Sequence, residues 1–176
     1  ADRRSVLFQS NSHEISGMLD VYRVGVDGGT PMPVAADRYT TEYFAAPSPG
    51  GDAVAITARA NAGSQWWRKG HSHLDESELW QKTGDNYTKL TEGGAKQMWP
   101  MATADGSKVY FMSDRNGPQN IWVMVRGQQA KQVTNFTDGR VLWANMSYDG
   151  QEIVFNRNFK ISKLKTSDGK VADVPI

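Results

Sequence analysis

Short apolar runs separated by polar turns dominate the chain, and the pattern is clearest between Lys96 and Thr134. Lys96 to Ala102 is followed by the turn Ala104-Asp105-Gly106, and the run Val109-Tyr110-Phe111-Met112 is closed by the polar stretch Ser113 to Gly117. Ile121 to Val125 ends at Gly127, and a further segment carries Val133. β-branched and aromatic runs of about four to six residues between Asp-Gly and Asn-Gly turns predict consecutive antiparallel hairpins, here four strands in succession.

The unit recurs. Asp149-Gly150 stands before Gln151 to Phe155 as Asp105-Gly106 stands before Ser107 to Phe111, and Gly50-Gly51 precedes Asp52 to Ile56 in the same register. Arg3 takes the glycine's place before Arg4 to Phe8. From Arg3 to Gly51, Gly106 and Gly150 the steps are 48, 55 and 44 residues, and the fourth-strand positions Val34, Leu90, Val133 and Val174 step by 56, 43 and 41. A period of roughly 40 to 50 residues with four strands per unit predicts an all-β propeller built of four-stranded antiparallel blades. About four blades are expected in a single segment 1–176, with approximate limits 1–37, 38–93, 94–137 and 138–176.

The chain starts on the second strand of blade one, so fifteen strands are expected and blade one lacks its innermost strand. The apolar faces of each blade must be covered by neighbours. The array is therefore expected to be part of a larger propeller, or to be completed by another chain through self-association. Blade two carries an insertion between its second and third strands, Ala58 to Ser77.

The phrases SPGGDAVAI, TADGSKVYFMSDRNGPQNIWVM and SYDGQEIVF resemble the TolB-type propeller repeat, which runs Ser-Pro-Asp-Gly, apolar strand, Ser-Asp-Arg-Asp-Gly, Ile-Trp/Tyr-Val strand. Within that superfamily Gln65 to Trp80, QWWRKGHSHLDESELW, is most similar to the propeller of bacterial tricorn-like serine peptidases. The resemblance implies a non-catalytic module that binds peptide substrates or gates their access, with the peptidase core in sequence outside these residues. None of that family's catalytic residues can be carried onto this chain. The alternative it implies is a TolB-like protein-interaction scaffold in the cell envelope. A periplasmic or exported location follows from the resemblance, with the cytoplasm as the alternative.

Composition narrows the field. The net charge of +1 over 176 residues gives no field for nucleic acid. No apolar run reaches the roughly 20 residues needed to span a bilayer. Zero cysteine removes disulfides and thiolate metal sites. The chain opens on Ala1-Asp2-Arg3-Arg4 without an initiator Met, which is expected of a processed chain or a fragment.

Candidate chemistry gathers in the insertion. Trp66, Trp67, Arg68 and Lys69 could bind a peptide, the rings taking side chains and the cations a carboxylate. The plainer reading packs these tryptophans onto the blade. His71, His73 and Asp75 share a face if the segment is extended, which suits a divalent ion. Two histidines at this spacing with no third distant histidine cluster make a weak metal signal, and a polar loop with local hydrogen bonds is the plainer reading. Gly70-His71-Ser72-His73 has half of a hydrolase nucleophile elbow but lacks its second glycine. No catalytic residue and no cofactor are therefore expected. Trp80, Trp99, Trp122 and Trp143 fall at repeat-equivalent positions and are expected in the core. Ser113-Asp114-Arg115 is expected to bracket a hairpin through local hydrogen bonds.

Overall fold

Each apolar run becomes a strand and each glycine turn a hairpin. The computed structural model describes residues 4–48, 50–60 and 76–175, and among these there are fifteen strands and no helix. The first sheet holds β1 (Ser5–Ser10), β2 (Asp20–Gly25) and β3 (Gly28–Ala35). The second holds β4 (Thr40–Pro47), β5 (Ala53–Ala60), β6 (Glu78–Thr83) and β7 (Asn86–Lys89). The third holds β8 (Gln97–Ala102), β9 (Lys108–Ser113), β10 (Asn120–Val125) and β11 (Lys131–Gln132), and the fourth β12 (Leu142–Met146), β13 (Glu152–Arg157), β14 (Lys160–Lys165) and β15 (Val171–Asp173). Within every sheet the strands lie side by side in chain order, so the molecule is four antiparallel meanders arranged as the blades of a propeller. No helix among the described residues is long and apolar enough to cross a membrane.

The turn between the first two strands of a full blade is built three times in the same way. Gly51, Gly106 and Gly150 donate to the carbonyls of Ser48, Thr103 and Ser147 at 3.0, 2.8 and 2.9 Å, and each glycine has a φ near +70° (74, 68 and 72°). A side chain there would be strained, which is why the sequence punctuates these points with glycine. The hydroxyls of Thr103 and Ser147 donate to Asp105 and Asp149 at 2.6 Å. With Ser107 adding its own bonds, the Asp105 carboxyl is held down at about 2.

The outer strands of the second, third and fourth sheets are short, but their pairing runs on past the strand ends. Leu90, Val133 and Val174 donate backbone N–H bonds to Leu79, Ile121 and Ile161, all at 2.8 Å. The innermost strands share a different device. β4, β8 and β12 each bulge, between Tyr43 and Ala46, Met98 and Met101, and Leu142 and Asn145. The first extra residue is always an aromatic in the left-handed region, Phe44, Trp99 or Trp143, with φ of 51, 52 and 56°. Their rings meet, at 5.5 Å for Phe44 to Trp99, 6.5 Å for Phe44 to Trp143 and 6.2 Å for Trp99 to Trp143. One ring comes from each of three blades, so the trio stands where the blades converge and plugs the axis.

Packing passes from β1 and β2 to β4, from β4, β5 and β6 to β8, and from β8 to β12; no comparable packing joins the first sheet to the fourth among the described residues. The outer flanks consequently stay open, with Val6 at 50% exposure and Val154 at 40%. The tryptophan expectation holds in the middle and fails at the end. Trp99 and Trp122 are buried, Trp80 is half-buried, and Trp143 is 64% exposed because no described sheet lies beyond the fourth to cover it. Phe159 sits in the β13–β14 turn with φ +62° and a fully exposed ring. Blade one keeps three strands, and no described residue takes the innermost place.

Candidate functional site

The second and third blades diverge at one corner. In the third, the Ser113-Asp114-Arg115 turn does more than bracket its hairpin: the Asp114 carboxylate accepts the Lys96 N–H at 2.8 Å, and Arg115 Nη2 donates to Gln97 Oε1 at 2.7 Å. The same guanidinium lies 4.7 Å from the centroid of the Trp122 ring, a cation–π roof that leaves the indole buried.

Glu42 occupies the place of Gln97. Both stand two residues before the left-handed aromatic, as does Val141 in the fourth blade, and all three are buried. Each also hangs by its backbone N–H from the preceding blade, Glu42 from the Leu19 carbonyl at 2.7 Å, Gln97 from Ser77 Oγ at 2.9 Å and Val141 from Gln119 Oε1 at 3.0 Å. Trp80 occupies the place of Trp122, one residue after the Leu79 and Ile121 amides that bond to Thr91 and Thr134 hydroxyls at 2.9 Å. Here the Ser-Asp-Arg turn is replaced by the connection 61–77, and the described residues leave a cleft of about 520 Å³. Trp80 and Tyr87 line it together with Asp37, Glu42, Glu76, Glu78 and Arg59.

Glu42 is the unusual group. Its carboxylate accepts the Asp37 N–H at 3.1 Å and a hydrogen bond from the Tyr87 hydroxyl, but burial dominates and raises it to about 7, with Asp20 and Asp37 pushing the same way. The Tyr87 hydroxyl is raised in turn, by burial first and then by the Glu42 charge. Asp20 is buried as well and is raised by desolvation, then by Glu14; Tyr22 donates to its Oδ2 at 3.4 Å, while Oδ1 has no hydrogen-bond partner among the described residues. At the mouth, Glu78 accepts from Trp80 Nε1 at 3.1 Å and pairs with Lys89 at 2.9 Å. The cleft is thus lined by four carboxyl groups, one guanidinium and an indole face, with Lys89 paired to Glu78 beside it.

Among the described residues, Ser77 is the serine that lines the cleft. Ser77, the one hydroxyl close to the carboxylates on the connection's exit, donates to the Gln97 carbonyl at 2.6 Å and accepts the Gln97 N–H, so it is a fully engaged blade-to-blade clasp. The sequence candidates Trp66, Trp67, Arg68 and Lys69, and the metal candidates His71, His73 and Asp75, lie outside the described residues, as does Ser72. Among the described residues no group of three or more His, Cys, Asp or Glu side chains could hold a metal ion. Of the loaded stretch singled out in sequence, Glu76 and Glu78 do line the cleft. Glu42, Asp37 and Tyr87 were not anticipated, and Trp80 was assigned to the core. A signal was present: Glu42 is a carboxylate where the other full repeats place Gln97 and Val141.

Taken together, the meanders and the shared bulges define a four-blade β-propeller module. Residues 1–170 match the model of the tricorn protease N-terminal β-propeller domain, and the chain belongs to that family. No curated protein sequence matches it. Among solved structures it is similar to a putative TolB from Agrobacterium tumefaciens, with 17% identity and a TM-score of 0.74, over 97% of this chain and 60% of that one. A Mycobacterium tuberculosis puromycin-hydrolyzing peptidase aligns at 16% identity and TM-score 0.64, over 90% of this chain and 26% of that one. The tricorn protease itself aligns at 15% identity and TM-score 0.51, over 97% of this chain and 21% of that one. The chain thus spans only part of the length of each of these proteins.

Proposed function

We propose that this chain is the non-catalytic propeller module of a tricorn-like peptidase and that it binds peptide substrates through the cleft of the second blade, which takes a lysine or arginine side chain or a peptide N-terminus. The observation that supports this reading is Glu42, a buried carboxyl at the floor of an acidic, aromatic-walled cleft in a position the neighbouring blades fill with uncharged residues. The aromatic plug of Phe44, Trp99 and Trp143 favours binding at a blade corner over passage along the axis. The open flanks of the first and fourth blades are surfaces for the rest of a larger propeller chain or for a second copy. An exported or periplasmic site of action goes with this reading, the cytoplasm being the alternative.

The test is a titration of labelled heptapeptides carrying a central Lys, Gln or Glu. The Lys peptide is expected to bind best, and Glu42→Gln to weaken it roughly tenfold, equivalent to about 1.4 kcal/mol. None of the peptides should be cleaved. Equal binding of the three, unchanged in Glu42→Gln, or turnover that copurifies with the chain would refute the reading. The second reading, a TolB-like interaction scaffold, draws on a different feature, the open edge of β1.

A further inference from the structure

Each blade is tied to the next by one hydrogen bond at the corner, and the residues beside that bond differ from seam to seam. Asp20, Glu78 and Asn120 open β2, β6 and β10. They follow Leu19, Ser77 and Gln119, which accept the backbone N–H of Glu42, Gln97 and Val141 in the next blade. The three seams therefore carry Asp20 with Glu42, Glu78 with Gln97, and Asn120 with Val141. In the second seam Glu78 is half-buried and paired with Lys89 at 2.9 Å, and in the third an amide stands with an alkyl group. Among the described residues, the first seam alone puts a buried carboxyl at both places, Asp20 at 3% and Glu42 at 1% exposure.

Asp20 also lacks the bonds that satisfy its counterpart. Asn120 Oδ1 accepts the Thr134 hydroxyl at 2.8 Å and the Phe136 N–H at 2.7 Å, and its Nδ2 donates to the Phe136 carbonyl at 3.1 Å. In the first blade Ala35 stands in the place of Thr134 and has no hydroxyl to give. Asp37 stands in the place of Phe136, and its N–H goes to Glu42 Oε2 at 3.1 Å instead. Asp20 is left with a long bond from Tyr22, 3.4 Å to Oδ2, and its Oδ1 has no hydrogen-bond partner among the described residues. A buried carboxylate needs several donors, and a protonated carboxyl needs fewer. The titratable groups whose charges or bonds reach the two carboxyls are His13 and Glu14 from the β1–β2 connection, Tyr22 on β2, Asp37 before β4 and Tyr87 on β7. Along the cleft beside Glu42 stand Arg59 on β5, Glu76, and the paired Glu78 of β6 and Lys89 of β7.

We infer that the seam between the first and second blades is a proton-operated joint, closed at its corner while Asp20 and Glu42 are protonated and parted there when both are ionised. The bond that breaks on parting is the one from the Glu42 N–H to the Leu19 carbonyl, 2.7 Å long in the closed form. The rest of the seam is apolar, Val21 and Ala35 of the first blade packing with Val54 and Ile56 of the second, so the blades stay joined while the corner opens. Burial acts in the direction this requires, raising Asp20 and raising Glu42 to about 7. The closed corner thus holds protons that the parted corner releases. Its closure is fully supported below the ordinary Glu42 value of 4.5 and is lost as pH rises through about 7. The seam between the third and fourth blades has no carboxyl at either place and does not respond.

The joint works without any peptide, so its test is separate from that of the cleft. Amide hydrogen exchange of the full chain is followed by NMR from pH 5.5 to 8, each rate being divided by the intrinsic chemical rate at that pH. Protection of the Glu42 N–H is expected to fall at least tenfold over this range, while staying below that of the Phe111 N–H, which reports unfolding of the whole molecule. The Val141 N–H, the matching bond of the other seam, should change less than threefold. Asp20→Asn and Glu42→Gln, which carry the chemistry of Asn120 and Gln97 into this seam, should each reduce the fall, and the double variant should bring it to the level of Val141. The comparison of the two seams within the wild-type chain decides the matter even where a variant does not fold. An equal pH response at Glu42 and Val141, a fall at Glu42 that only tracks Phe111, or an undiminished fall in a folded double variant would each overturn the inference.

Discussion

The second and third blades are built from the same repeat and end with opposite surfaces. In the third, Arg115 bonds the amide of Gln97 and covers Trp122, so a polar residue and an indole are both sealed. In the second, the position of the amide holds a carboxyl, the arginine turn is gone, and the matching indole lines an open cleft. Among the described residues, one repeat thus yields either a sealed corner or a cleft of about 520 Å³.

Truncating the two indoles gives the largest contrast. Trp122→Ala should cost about 3–5 kcal/mol in denaturant unfolding, whereas Trp80→Ala, already half-exposed, should cost about 1–2 kcal/mol while abolishing Lys-peptide binding. Equal losses would mean that the second-blade corner is as closed as the third.

Next comes the carboxyl. Glu42 has a folded pKa raised from 4.5 to about 7, so between these values the native state holds a proton that the unfolded state has lost. The contribution of Glu42 to stability is thus fully present below about pH 4.5 and is lost as pH rises through about 7. The neighbours that share this field are Asp20, Asp37 and Tyr87. Glu42→Gln, which carries the third blade's uncharged chemistry into the second, should flatten the decline and add about 2 kcal/mol at pH 8. Thermal unfolding between pH 5 and 8 measures it, and parallel curves for the two proteins would remove Glu42 from the account.

Opening the closed corner should have a smaller effect. Arg115→Ala breaks a charge-assisted bond and unroofs Trp122, with an expected loss of about 1.5 kcal/mol and a rise in accessible indole by fluorescence quenching. The smallest effect marks what the blades share. Gly51→Ala and Gly106→Ala place a side chain at φ of 74 and 68°, and each should cost about 1 kcal/mol, equal in the two blades because the turn is the same. Unequal costs would show that the turns, and not only the corners, have diverged.

Much of this was legible in sequence. The short apolar runs and the repeated Asp-Gly and Gly-Gly turns announce hairpins, because glycine takes the positive φ of a tight turn without strain. The rest was hidden for physical reasons. Left-handed Phe44, Trp99 and Trp143 leave no sequence mark, since aromatic residues rarely adopt that conformation and only the bulge forces it. Trp143 reads like Trp99 in sequence, but burial depends on whether a neighbouring blade exists. The tryptophans, cations and histidines of 66–75 stand out in the sequence, whereas Glu42, which lines the cleft, is a single carboxylate whose meaning appears only when repeats are superposed. Arg115 looked like a local turn residue because its partner Gln97 lies 18 residues away.

The most direct test of the cleft is proton linkage. Calorimetric titration of the Lys peptide at pH 7, repeated in buffers of different ionisation enthalpy, counts the protons exchanged on binding. A carboxyl with a pKa of about 7 that ionises to receive a cation should release about half a proton per peptide, and Glu42→Gln should release none. Binding of undiminished affinity with no proton release in the wild-type chain would contradict the assignment of Glu42 as the group that receives the cation.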